Sequence, residues 1–390
     1  MTALWPRKIC AVTGSRADYG LLYWILWELN RSAAFELQLA VTGMHLSPEF
    51  GLTVRAIEED GFDIAVRVET LLSGDTPQAI GKSIGLGVIG FSDALARLQP
   101  DLLLVLGDRY EIFAAAQAAM IARIPVAHIA GGDLTEGAYD EAMRHSITKM
   151  AHLHFASNAA SARRLRQLGE DPARVFDVGS TALDMVRRAR LMDRSELERD
   201  LGFAFQPRNL LVTFHPATLE DERPAAQFTR LLEALDELGD QVGLLFTKSN
   251  SDSDGRILAE MIDTFVRERP HAIAFTSLGQ IRYLSLMAQV DAVVGNSSSG
   301  LFEAPAFATP TVNIGARQQG RPRAASVIDC PVDSRSIRFA IEQAFASGRR
   351  EVVNPYGDGR SAERILSVLV GIEDYRALLI KRFFDVESAA

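Results

Sequence analysis

The chain has 390 residues, 47% apolar and 23% charged, the balance of an ordinary folded protein long enough for about two domains. A formal net charge of −9 argues against a broad nucleic-acid surface, although a few local arginines would suffice for an anionic ligand. Two distant cysteines, Cys10 and Cys330, argue against a disulfide framework or a zinc site, and no uninterrupted apolar run approaches the ~20 residues of a membrane span, so a cytoplasmic protein is expected.

Short β-rich runs alternate with longer helical patterns. Strands are predicted at KICAVT (8–13), ELQLAVT (36–42), DLLLVLG (101–107), PVAHIA (125–130), LHFAS (153–157) and VFDVG (175–179). They resume at NLLVTF (209–214), VGLLFT (242–247), AIAFT (272–276), DAVVG (291–295) and TVNIG (311–315). Separated by segments such as YEIFAAAQAAMIAR (110–123), these runs predict βαβ units and parallel sheets buried on both faces. The polar stretch LMDRSELERDLGFAFQPR (191–208) reads as a junction. It divides an α/β domain over 1–190 from a second, similar one over 200–370. The amphipathic pattern DYRALLIKRFFDV (374–386) predicts a closing helix within 371–390 that crosses back to the first domain.

Two glycine motifs mislead. GLGVIG (85–90) fits the dinucleotide fingerprint, yet it lies inside a helix predicted over 76–98 rather than at a strand-to-helix turn. GKS (81–83) resembles the end of a P-loop, but Thr76 stands where the earlier glycine is required.

The chemistry-bearing residues cluster where strands end. GSRADYG (14–20) opens the first helix, where Arg16 could meet an anion; Asp18 reads equally as a helix cap. GDRYE (107–111) places Asp108 and Arg109 beyond the carboxyl end of a strand, with capping again the alternative for Asp108. In VAHIAGGDLTEGAYDE (126–141) a strand bearing His128 runs into an acidic turn. Beyond it, Asp140 and Arg144 stand at i, i+4 spacing, either an ordinary ion pair or an arginine holding a catalytic carboxylate. FHPATLE (214–220) brings His215 to a strand end in the second half, where a structural histidine is the alternative. GNSSSGLFEAP (295–305) is the most informative stretch. Free N–H groups with the hydroxyls of Ser297 and Ser298 suit a diphosphate, and Glu303 could accept both hydroxyls of a ribose. NIGARQQGR (313–321) adds Arg317 and Arg321 for bidentate contacts to that diphosphate. The residues alone therefore describe two α/β domains facing a cleft, the second binding a nucleoside diphosphate and the first supplying carboxylates and a histidine.

GSRADYG, VTGMH, LGDRYEIF, RHSITKM, GNSSSGL and ASVID–PV occur in this order across almost the whole chain. In these motifs the sequence resembles the hydrolysing UDP-N-acetylglucosamine 2-epimerases, particularly the bacterial sialic-acid branch. The resemblance implies two Rossmann-like domains in the glycosyltransferase-B arrangement, a homodimer, and a UDP-sugar substrate. It places Arg16, Ser297, Ser298 and Arg317 at diphosphate-binding positions, Glu303 on the ribose and His215 near the sugar phosphate. Asp18 and Arg321 join the UDP set, and Asn250 and Asp252 of TKSNSD fall on a loop near the nucleotide. Asp108 and Asp140 match the acid/base carboxylates, with Arg144 beside them; His128, at its strand end, is expected among the catalytic groups lining the sugar pocket.

The implied reaction is anti elimination of UDP to a 2-acetamidoglucal, then syn addition of water, giving N-acetylmannosamine and UDP. The C2 hydrogen is not acidic by itself, so a carboxylate must take it as the C1–O bond breaks; Asp108 and Asp140 are both candidates for that base. No hydride moves, so no cofactor is expected, and no metal. UDP-2,4-diacetamido-2,4,6-trideoxyglucose, of the legionaminic acid pathway, is the alternative substrate, and a glycosyltransferase of the same fold the competing activity. Ala130, where several relatives carry Glu or His, could make room for a 4-acetamido group.

Overall fold

The structure is a computed structural model that describes residues 6–72, 74, 76–135, 139–215, 223–248 and 255–386. Its contacts divide the chain into two units, one comprising Met1–Met185 with Tyr356–Ala390 and the other Val186–Pro355.

The first unit is built on seven parallel strands: β1 (Arg7–Thr13), β2 (Phe35–Thr42), β3 (Ile64–Val68), β4 (Leu102–Leu106), β5 (Val126–Ile129), β6 (Leu153–Ala156) and β7 (Val175–Asp177). They lie in the order β3-β2-β1-β4-β5-β6-β7. The central strands are apolar on both faces: every residue of β4 and β5 is buried, because helices cover both sides. The second unit repeats the plan with β8 (Arg208–Thr213), β9 (Val242–Thr247), β10 (Ala272–Phe275), β11 (Ala292–Gly295), β12 (Thr311–Ile314) and β13 (Val327–Cys330). Their order is β10-β9-β8-β11-β12-β13. In each sheet the winding reverses once, between β1 and β4 and between β8 and β11, and a doubly wound sheet binds its ligands beyond the strand ends at that reversal.

Two strands, β3 and β13, escape the sequence pattern. Both are sheet edges and only partly buried, IAVRV alternating exposure with burial and VIDC burying Cys330 alone, so neither makes the continuous apolar run that marks a central strand. The Pro77–Leu98 helix swallows GLGVIG whole, capped by the Thr76 side chain. Its glycines serve packing: a Cβ on Gly87 would meet Ala114 Cβ at 2.8 Å and one on Gly90 would meet Val68 Cγ1 at 2.6 Å. This is the one helix among the described residues long and apolar enough to cross a membrane, and here it packs on β3 and on the Tyr110–Ile121 helix.

The boundaries differ from the sequence expectation. The second unit begins at Val186, before the polar stretch, whose Arg194–Leu201 helix opens on a capping box of Asp193 and Glu196 and packs Leu197 and Leu201 against Leu211 and Leu245 of that unit. The chain rejoins the first unit at Tyr356, well before 371. The Ser361–Gly371 helix buries Ile365 and Leu369 in the first unit's core. The helix expected over 374–386 is absent; a 3-10 turn, Arg376–Leu379, stands there. Its period of three sets Tyr375 and Leu378 into the core together, and Arg174 Nη1 donates to the Leu378 carbonyl at 2.8 Å, so the chain's acceptors are met from outside.

Candidate functional site

At the first reversal, β1 delivers Gly14 and Ser15, and Ser15 Oγ accepts from the Asp18 N–H at 3.3 Å. Ser15 is thus the cap of the Arg16–Arg31 helix. Asp18 is free of that duty and sits buried in the first turn, its carboxyl pushed up to about 6 by burial against the pull of Arg109, whose Nε lies 3.7 Å away. Arg16 is exposed at the helix start.

Strand β4 delivers Asp108 and Arg109. Arg109 occupies the cap position of the Tyr110–Ile121 helix without a side-chain cap bond, so Asp108 does not cap either. Its carboxylate receives Nη2 of Arg144, a nearly buried guanidinium that also donates to the Asp133 carbonyl at 2.7 Å and Thr135 Oγ1 at 2.8 Å. The ion pair suggested by sequence spacing, Asp140 with Arg144, is replaced by this tertiary one. A helical i, i+4 pair is worth only ~0.3–0.5 kcal/mol, which a nearly buried, multiply bonded partner readily exceeds. Asp140, the first residue of the Asp140–Met150 helix, is partly buried. Its carboxyl is raised above the usual range by burial and then by the charge of Asp108, while Arg109 and Arg144 pull it down.

His128 is a correction. It is fully buried, with Nε2 2.8 Å from the Gly107 carbonyl and Nδ1 3.3 Å from Thr148 Oγ1. Burial lowers its pKa to about 3. A neutral ring with both nitrogens engaged is a strut rather than an acid/base group. In the acidic turn, Asp133 Oδ1 accepts from Ser157 at 2.5 Å and Ser161 at 2.6 Å, and Glu141 accepts from the Thr135 N–H at 2.7 Å. Ala130 adopts a φ of +61°, a left-handed conformation unusual for a residue with a Cβ, where the chain turns off β5.

One residue of this group goes unseen in the sequence. Glu111 is 1% exposed and grips Arg109 with both oxygens, at 2.8 and 3.2 Å. The signal was a lone acid in the first turn of an alanine-rich buried helix, which needs a cation close by.

At the second reversal, β8 ends before His215 and β11 before Asn296. Gly295 allows the crossing: a Cβ there would come within 1.9 Å of the Thr213 carbonyl. Asn296, 2% exposed and also missed in the sequence, joins the two strand ends, accepting from the His215 N–H at 2.7 Å and donating to the His215 carbonyl at 2.8 Å. Its own carbonyl accepts from Arg317 Nη1 at 3.0 Å and Gln318 Nε2 at 2.8 Å. Burial, then the Arg317 charge, lowers His215 to about 4, so the imidazole is neutral near pH 7. Ser298 begins the short Ser299–Phe302 helix, and Ser297 Oγ accepts from the Ser299 N–H at 3.4 Å. Glu303 closes that helix, its carboxyl pushed up to about 7 by burial. Arg321 donates to Gln318 Oε1 at 2.8 Å and lies 5.7 Å from the Phe302 ring. Asn250 and Asp252 lie outside the described residues.

The two reversals thus collect different groups: carboxylates and arginines in the first unit, hydroxyls, N–H groups and arginines around a neutral histidine in the second. The chain is 40% identical over 340 residues to a GDP/UDP-N,N'-diacetylbacillosamine 2-epimerase (hydrolyzing) of Campylobacter jejuni, covering 87% of this chain and 86% of that one. It is 34% identical over 375 residues to a UDP-N,N'-diacetylbacillosamine 2-epimerase (hydrolyzing) of Legionella pneumophila, covering 96% and 98%. Its fold matches that of a Neisseria meningitidis UDP-GlcNAc 2-epimerase bound to UDP-GlcNAc with a TM-score of 0.73, at 18% identity over 93% of this chain and 99% of that one. The family model for UDP-N-acetylglucosamine 2-epimerase matches residues 27–370, and the chain belongs to that family.

Proposed function

We propose that the chain is a hydrolysing 2-epimerase of a UDP-2-acetamido sugar, and that its two strand-end sites divide the work. The observation that carries this reading is the pair Asp108 and Asp140 at the first reversal, one carboxylate locked to Arg144 and the other raised by burial and by its neighbour's charge. Such separation of two carboxyls is how a site obtains a fixed charge and a proton acceptor at once. In our reading Asp140 takes the C2 proton as the C1–O bond breaks and UDP leaves with the bonding electrons, forming the C1=C2 double bond. Asp108 holds the developing positive charge at C1 and then orients the water that adds its hydroxyl there, while a proton is delivered to C2 on the same face as that hydroxyl, opposite the face from which the first was taken. The sum is UDP-sugar plus water to UDP plus the free 2-epimer.

In the second unit, Ser297, Ser298, Arg317 and Arg321 are assigned to the diphosphate. Glu303 is assigned to the ribose. His215, neutral near pH 7, donates to the phosphate oxygen that departs from C1. Positive charge and donors aimed at that oxygen favour its loss.

Two substrates fit the family. UDP-N-acetylglucosamine would yield N-acetylmannosamine. UDP-N,N'-diacetylbacillosamine, the 2,4-diacetamido-6-deoxy sugar, is favoured by the names of the two relatives above, and by the small side chain of Ala130. Products of these types feed nonulosonic acid synthesis. Incubating the purified chain with each sugar in D₂O, followed by NMR, tests the reading: UDP and a free sugar deuterated at C2 are expected, faster from the preferred substrate. A product without C2 deuterium, or a sugar that stays attached to UDP, contradicts it. We also propose a homodimer, supported by exposed apolar side chains on two helices that pack together, Leu86 and Ile89 on Pro77–Leu98 and Met120 and Ile121 on Tyr110–Ile121; a monomer mass in sedimentation at micromolar concentration would refute it.

A further inference from the structure

Residues 372–386 are tied along the first unit. Arg7 Nη2 donates to the Glu373 carbonyl at 3.0 Å, Arg174 holds the Leu378 carbonyl, and the Phe384 N–H donates to the Gly169 carbonyl at 2.9 Å. Within this strap, Lys381 Nζ donates to the carbonyls of Thr148 (3.1 Å), Lys149 (3.0 Å) and Ala151 (2.7 Å), and pairs with Glu170 at 2.7 Å. Glu170 is 1% exposed and also holds Lys149 at 2.6 Å. The carbonyls are those of the last turn and cap of the Asp140–Met150 helix, the negative end of its dipole; that of Thr148 also accepts from the Ala151 N–H at 3.2 Å. One ammonium therefore closes the far end of the helix whose first turns carry Asp140 and Arg144. The contacts continue: the Thr148 hydroxyl meets His128 Nδ1, and His128 Nε2 meets the carbonyl of Gly107, the residue before Asp108.

We propose that Lys381 is a positioning residue for the reaction: by holding the end of the Asp140–Met150 helix and, through Thr148 and His128, the strand end at Gly107, it sets Asp140 and Arg144 against Asp108. The proposal rests on the acid/base reading given above for the two aspartates. It also gives His128 its purpose, as the link between helix and strand end.

The full chain carrying Lys381→Ala tests it, with Lys381→Met, which keeps the aliphatic stem, as the second variant should the first not fold. A cavity of about 320 Å³ lined by Glu170, Arg174, Ala377 and Lys381 lies beside the ammonium, so a small alkylammonium can be supplied in its place. Expected is a fall in kcat of about tenfold with UDP affinity within about twofold of wild type, and partial recovery in ethylammonium chloride but not in equal sodium chloride. Amide hydrogen exchange over 140–150 should quicken while that of the second unit does not. A kcat within about twofold of wild type, or unchanged exchange over 140–150, overturns the proposal. So does a joint fall of kcat, UDP affinity and thermal midpoint without ethylammonium recovery, which would make the strap a general brace. If the wild-type chain releases no UDP from either sugar, it is the functional reading that fails, and the exchange measurement still decides whether Lys381 holds the helix.

Discussion

At the reversal of the first sheet, four carboxyl groups and two arginines gather, and the charges answer one another unequally. Glu111 grips Arg109, Arg144 grips Asp108, and Asp18 and Asp140 are left with raised proton affinities. At the reversal of the second sheet the polar groups among the described residues are serines, backbone N–H groups, Asn296 and Arg317, and the acid there, Glu303, is about half neutralised by its burial near pH 7. The scaffold is the same in both; the charges on it are not. A site that exchanges protons needs carboxyls whose affinities differ, whereas a site that holds a diphosphate needs donors and no standing negative charge. In the proposed reading, strand-end position sets where ligands go, and the residues set there decide which half reacts and which half grips.

The largest effects should come from breaking the first site. Asp108→Asn and Asp140→Asn should each cut kcat by ~10²-fold or more, the usual scale for an acid/base group. Near-normal rates in both would remove the aspartates from the mechanism. Arg144→Met strikes the same site through stability. It leaves Asp108 without its partner, at a cost of about 2–3 kcal/mol in denaturant unfolding, below the ~3–5 for a fully buried pair because the Asp108 side chain keeps 22% exposure. An unchanged unfolding midpoint would show that Asp108 is solvated in solution.

The second site should answer differently. Arg317→Ala or Ser298→Ala should raise the UDP dissociation constant by roughly tenfold, in line with a lost hydrogen bond to a charged group, with kcat at saturation little altered. Calorimetry giving wild-type affinity would refute the diphosphate assignment. The smallest effect is on pH. The Glu303 carboxyl, raised to about 7, accepts the ribose hydroxyls best when ionised, so UDP affinity should rise between pH 6 and 8. A Glu303→Gln chain that keeps the same slope would show that another group titrates.

Much of this contrast was legible in the sequence, because parallel sheets write their strands as apolar runs and their ligand loops as the glycine- and serine-rich stretches that end them. The edge strands β3 and β13 were not, since a half-exposed strand loses the run. Nor were the pairings inside the sites. Arg144 was read with Asp140, four residues away, whereas the fold gives it Asp108, thirty-six residues away. Asn296 and Glu111 act through partners that only the meeting of distant strand ends supplies. His128 looked chemical because it ends a strand near acids, and burial with two engaged nitrogens makes it a strut.

The division of labour is tested most directly by titrating UDP into the Asp140→Asn chain, in the same preparation whose turnover has been measured. The account predicts a dissociation constant within about twofold of wild type beside a kcat reduced ~10²-fold or more. UDP binding lost in proportion to turnover would contradict it, placing Asp140 in the grip rather than in the proton transfer.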